Sequence, residues 1–108
     1  MRAYQFISEE AIGLLNIGNL NVVVDSHALD QAIDRLVLPT DVDRVLRKLP
    51  TIQDQLANME SGQQFWVYDP GLEVGLGMRS INPVKLKYQF KTVVGDRPYE
   101  SHIPVLEV

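Results

Sequence analysis

The stretch Gln63-Gln64-Phe65-Trp66-Val67-Tyr68-Asp69-Pro70-Gly71-Leu72-Glu73-Val74-Gly75-Leu76-Gly77-Met78 decides how the chain is read. Two alternating runs flank Asp69-Pro70-Gly71, where proline suits the second position of a turn and glycine a third position with φ > 0. The pattern predicts a β-hairpin with Pro70 and Gly71 as its loop. Asp69 then faces Leu72, Val67 opposes Val74, Phe65 opposes Leu76, Trp66 lies across from Gly75 and Tyr68 across from Glu73. One face collects Phe65, Val67, Leu72, Val74, Leu76 and Met78; the other collects Gln64, Trp66, Tyr68, Glu73, Gly75 and Gly77. A large ring lying over a strand glycine is a recurrent stabilising pair.

Toward the C-terminus, residues 84–94 alternate again. Val84, Leu86, Tyr88, Phe90 and Thr92 point one way, and Lys85, Lys87, Gln89 and Lys91 the other. Gly95-Asp96-Arg97-Pro98 reads as a second hairpin turn that pairs Val94 with Tyr99, Phe90 with Ile103 and Lys91 with His102. Pro104 marks the last strand as an edge, because it donates no ladder hydrogen bond.

Toward the N-terminus, the pattern predicts a strand over 2–7 and a weak helix from Ser8, with Glu9 and Glu10 in its first turn. Gly13 weakens that helix, and residues 16–19 stop it. The β-branched run 20–24 is a strand covered on both faces. Three helices follow. The first has Asp25 or Ser26 as N-cap and a stripe of Leu29, Ala32, Ile33, Leu36 and Val37. The second starts at Thr40 with Val42, Val45, Leu46 and Leu49 inward. The third runs from Thr51 to about Glu60 on Ile52, Leu56 and Met59. The fold class is therefore α+β: an antiparallel sheet of two C-terminal hairpins plus N-terminal strands, with three short helices on one face.

A chain of 108 residues with 45% apolar and 22% charged content suits one domain, split into a mainly helical part (1–62) and a β part (63–108). Residues 1–62 carry 5 Lys/Arg against 9 Asp/Glu, and residues 63–108 carry 5 against 5, so the whole net charge of −4 sits in the first part. Such a balance disfavours sequence-blind nucleic-acid binding, which depends on neutralising many phosphates. With no cysteine, thiolate metal sites, disulfides and cysteine nucleophiles are excluded. No apolar run approaches membrane-spanning length and residues 1–10 lack a signal-peptide core, so the expectation is a cytoplasmic protein with no membrane partner.

Candidate sites are few. Asp25-Ser26-His27 holds the residue types of a hydrolytic triad, but consecutive side chains diverge, and helix capping explains them better. His27, Asp30 and Asp34 share a helix face that is better suited to a solvated or partner-binding acidic surface than to a metal. Glu100 and His102 share a strand face without a nucleophile or anion cradle beside them. Gly75-Leu76-Gly77 lies inside a strand, so it is no nucleotide fingerprint. The expectation is no catalytic residue, no metal and no cofactor. Partner binding is assigned to Trp66 and Tyr68 on the sheet face left bare by the helices, with Lys85, Lys87 and Lys91 around them, and to Asp30 and Asp34 on the acidic helix.

The corresponding function is a small non-catalytic protein-interaction module, an inhibitor or adaptor that occludes a partner's surface. In general character it is like immunity proteins, antitoxins and anti-defence proteins, and its acidity suits a nucleic-acid-handling partner. The alternative is a single-stranded nucleic-acid or nucleotide binder that stacks bases on Trp66 and Tyr68. Homo-oligomerisation through the C-terminal edge or the aromatic face is a third use of the same surfaces.

Overall fold

The computed structural model describes residues 12–98 and 102–108. The strand expected over 2–7 and the helix start at Ser8 lie outside them. Ile12–Ile17 is a strand (β1) instead of the end of that helix, joined through Gly18-Asn19 to β2, Leu20–Asp25. Gly18, at φ +60, takes the left-handed turn that closes this hairpin, with Ile17 opposite Leu20. On β2, Leu20, Val22 and Val24 are buried while Asn21, Val23 and Asp25 are only half-buried, so this strand has one core face where two were expected.

Asp25 then caps α1, Ser26–Asp34, its carboxylate accepting from the His27 N–H at 2.9 Å. The helix α2 spans Pro39–Arg47, with Val42, Val45 and Leu46 buried. Instead of the short helix expected from Thr51 to about Glu60, a 3-10 turn over Leu49–Ile52 runs into one helical turn, Gln53–Ala57 (α3). Pro50 fits the first turn of that segment, where its missing N–H costs nothing. The remaining strands are β3 (Gln64–Asp69), β4 (Val74–Asn82), β5 (Lys87–Val94) and β6 (Val105–Glu107).

These strands form one sheet in the order β1-β2-β5-β4-β3-β6. It is mixed, not antiparallel: β2 runs parallel to β5 and β3 parallel to β6. Among the described residues the expected second hairpin does not form, because one edge of β5 is taken by β4 (Ser80 opposite Tyr88) and the other by β2 as far as Phe90 (Val22 opposite Tyr88) and by α1 beyond it. The final strand consequently pairs with β3, where it remains an edge as Pro104 implied.

The β3–β4 hairpin differs from expectation in a way that leaves its faces intact. Its loop is Pro70–Glu73, with Asp69 opposite Val74, Val67 opposite Leu76 and Trp66 opposite Gly77. A two-residue hairpin loop wants φ > 0 at its first position, which the proline ring forbids. The left-handed residue is Glu73 (φ +57), not Gly71. Because the shift is two positions, every side chain stays on its expected side.

Asp69 organises this turn. Its carbonyl accepts from Glu73 N–H at 2.8 Å, and its buried carboxylate accepts from Gly71 and Leu72 N–H at 2.8 and 3.2 Å. Lys48, just past α2, donates to the same carboxylate at 2.5 Å, tying the helical layer to the hairpin. Burial alone would raise this carboxyl's pKa, but the Lys48 ammonium and the two backbone donors outweigh it and hold it below the usual carboxylate value.

The core lies between the sheet's inner face and the helices. Phe65, Leu76, Tyr88 and Phe90 meet Val42, Val45, Leu46, Leu49, Ile52 and Leu56, with Phe65 edge-on to Tyr88 at 6.1 Å. In β5 a bulge at Lys91, between the pairs Met78/Phe90 and Gly77/Thr92, turns Val93 inward in place of Thr92. Val84 and Lys85, expected on this strand, belong to a 3-10 turn before it. Among the described residues, the Ser80 and Tyr88 hydroxyls are buried in this core without a hydrogen-bond partner.

Two stability measurements follow. Asp69→Asn keeps the turn's acceptors but loses the charge, so it costs about 1 kcal/mol at neutral pH by chemical denaturation. A folded-state pKa held low contributes stability above the unfolded value near 3.8 that is lost as pH falls through the folded value, so the difference between the two proteins vanishes in strong acid. Tyr88→Phe removes a hydroxyl that burial leaves unpaired. It leaves stability unchanged or raises it by about 1 kcal/mol, whereas a loss of that size would mean the hydroxyl has a favourable partner.

Candidate functional site

Trp66 and Tyr68 do lie on the sheet face opposite the helices, but that face is not bare. Their exposure is 9% and 7%. The described parts of the link from β5 to β6 lie against this face, with Pro98 beside Gly75 and Arg97 and Ile103 near the two rings. The Arg97 guanidinium lies 5.3 Å from the Tyr68 ring centroid, and Ile103 lines a small pocket with Gln64, Trp66, Gly77, Lys91 and Thr92. Trp66 N–H also donates to the Pro104 carbonyl at 2.8 Å. The expected exposure of the two rings is thus corrected: they pack between their own sheet and their own chain.

The two glycines make room for this layer. At Gly77 an added Cβ would collide with Thr92 Cγ2 and lie 3.1 Å from Trp66 Cζ3; at Gly75 it would sit 2.9 Å from Pro98 Cδ. The expected pairs Trp66/Gly75 and Tyr68/Glu73 do not form; with the longer loop, Trp66 faces Gly77 and Tyr68 faces Gly75. The pocket left beside Trp66 is about 130 Å³, below the roughly 300–1,000 Å³ of small-molecule sites. Neither ring offers an open face on which a base can stack.

Of the three lysines, Lys91, half-buried at the bulge, lines the pocket beside Trp66 as expected, whereas Lys85 is exposed on the 3-10 turn off the sheet and Lys87 is exposed at the start of β5. His102 is exposed near β6 and does not sit opposite Lys91, because β6 pairs with β3. Glu100, like Tyr99, lies outside the described residues. At α1, Gln31 Nε2 donates to His27 Nε2 at 2.8 Å, and among the described residues no group of His, Cys, Asp or Glu is arranged to hold an ion.

Asp30 and Asp34 are exposed on α1 as expected, and the structure sets something beside them that the sequence reading missed. The helix stops at Asp34, and the stripe carrying Ile33 and Leu36 does not turn inward. Only Ala28 and Ala32 are buried, and Ile33, Leu36 and Leu38 are 65%, 91% and 61% exposed. The stop is a Schellman motif: Leu36 N–H donates to Ile33 O at 3.1 Å and Val37 N–H to Ala32 O at 2.8 Å, with Leu36 left-handed at φ +59. Glycine is the usual occupant of that position because it lacks the Cβ that makes this conformation costly.

The helix ends here because α1 takes over the edge of β5 that β2 leaves. Pairing of β2 with β5 stops at Val24/Phe90. Beyond it, Arg35 Nη1 donates to the Val93 carbonyl at 2.8 Å, and the Thr92 hydroxyl bonds to the Gln31 carboxamide oxygen. A sequence signal for the exposed corner did exist. Leu36-Val37-Leu38 is three apolar residues in a row, and one helix face cannot bury all of them. Only Val37 is buried.

No family model, curated protein or solved structure matches this chain, so the functional reading rests on its residues.

The covered aromatic face has a direct test. Gly77→Ala forces Thr92 and Trp66 apart and costs about 1–3 kcal/mol. Because Trp66 is the chain's one tryptophan, its emission should shift to longer wavelength in that variant. Unchanged stability and emission would show that the indole is not packed against Gly77.

Proposed function

We propose that the protein is a small non-catalytic interaction module that binds another protein through the corner between α1 and α2 and acts by occluding that partner's surface, as an inhibitor or adaptor does. Leu36 carries this reading. A leucine in a left-handed position is less favourable than glycine by about 1 kcal/mol, and at 91% exposure its side chain returns almost nothing to the fold. Ile33 and Leu38 extend the same apolar surface, and Asp30 and Asp34 border it on α1. Exposed apolar clusters rimmed by charge are characteristic of protein-binding surfaces.

The acidic net charge, −4 with a pI near 5.0, supports a partner with a basic surface, such as a nucleic-acid-handling protein. The described C-terminal edge favours this corner over strand addition as the contact. β6 is only Val105–Glu107, follows Pro104 and carries the Arg97–Glu107 ion pair at 2.6 Å, all features that discourage edge pairing.

Leu36→Gly separates folding from binding. The variant should be more stable than the parent by about 1 kcal/mol, because strain is relieved and no buried contact is lost. Its capture of whatever protein the parent chain retains from native lysate should fall by about tenfold or more. Equal capture by parent and variant would remove the corner from the binding surface.

A further inference from the structure

The exposed corner forms one wall of a cleft whose other wall is the β3–β4 turn. The cleft is about 260 Å³ and is lined by Arg35, Leu36, Val37, Leu38, Asp41, Leu72, Glu73, Val74 and Gly95. Its floor is apolar, from buried Val37 and Val74, and the half-buried Leu72 adds to it. Each wall carries a non-glycine residue held left-handed, Leu36 on one side and Glu73 on the other. The volume is below the roughly 300–1,000 Å³ of small-molecule sites and suits an apolar side chain presented by a partner.

The charges around the cleft are unequal. Asp41 and Glu73 line it, and Asp34 and Asp96 sit next in sequence to the lining residues Arg35 and Gly95. The nearby cations offset these carboxylates only in part. Arg35 donates to the neutral Val93 carbonyl and keeps its charge, Arg44 lies 3.8 Å from Asp41 and offsets it, and Arg97 pairs with Glu107, so the four carboxylates stand against Arg35 and Arg44. Glu73 is exposed and has no ion pair among the described residues. A cleft with an apolar floor, largely polar walls and more carboxylates than cations around it complements a segment in which a leucine-like residue stands beside lysine or arginine.

We propose that this cleft takes an apolar side chain from a basic segment of the partner protein, with Asp41 and Glu73 meeting the flanking cations. The proposal rests on the corner being the recognition surface and adds the chemistry of what it recognises. The test is NMR titration of the isotopically labelled full chain with two short peptides, one of leucine and lysine and one of leucine and glutamate. The leucine–lysine peptide should shift the amides of Leu36, Leu38, Glu73 and Gly95. Its affinity should fall about tenfold in the double variant Asp41→Asn/Glu73→Gln, whose changes are at partly or fully exposed side chains.

Equal binding of the leucine–glutamate peptide at the same amides would overturn the basic class of partner while leaving the corner as a binding surface. Shifts confined to other parts of the molecule, or none with either peptide, would overturn the cleft as the site. A dimer by light scattering with these amides at its interface would assign the cleft to a second copy of this chain and refute the proposal.

Discussion

Strand β5 sits in the middle of the sheet with a hydrogen-bonding neighbour on each side, β4 antiparallel and β2 parallel. A strand has only two edges, and once both are filled the chain that leaves its end cannot fold back beside it. The last strand has to find another edge, and the open one is on β3. The described parts of the link, Arg97, Pro98 and Ile103, lie against β4 and β3 on the side away from the helices. Trp66 and Tyr68 are covered as a consequence, and Gly75 and Gly77 leave the space in which the covering layer sits.

The same pairing shapes the opposite end of the sheet. β2 reaches only as far as Phe90 on β5, so the carbonyl of Val93 needs a donor from elsewhere. α1, capped by Asp25 as β2 ends, runs on beside β5 and supplies one from Arg35. Small residues at Ala28 and Ala32 permit that close approach. Ending the helix there leaves Ile33, Leu36 and Leu38 at a corner with no core to enter. What looks in sequence like a helix's buried stripe is in the fold an exposed apolar corner beside two carboxylates.

Local structure was legible where one side chain dictates it. The Asp25 cap, the α2 stripe of Val42, Val45 and Leu46 and the alternation around the β3–β4 turn all follow from residue types at fixed spacings. The loop length was not legible from Asp69-Pro70-Gly71 as a turn signature alone, because the fixed φ of proline excludes the two-residue hairpin turn. The β5 bulge at Lys91 and the 3-10 turn over Pro83–Lys85 broke an alternation that looked continuous. Pairing between β2 and β5 was not legible at all. Nothing in residues 20–24 names a parallel partner more than sixty positions away, and without it the aromatic face looks open. The candidate site suffered most, because exposure is a property of the whole topology. Asp30 and Asp34 could be placed from helical spacing, whereas Leu36 could not.

The account depends on an exchange of roles between two sets of apolar residues: the indole is covered, and the corner is open. Solvent paramagnetic relaxation measures both at once, using a neutral gadolinium chelate that broadens whatever water can touch. The methyl groups of Ile33, Leu36 and Leu38 should broaden strongly while the Trp66 indole N–H keeps its signal. An indole broadened as fast as exposed side chains, with those methyls protected, would contradict the account.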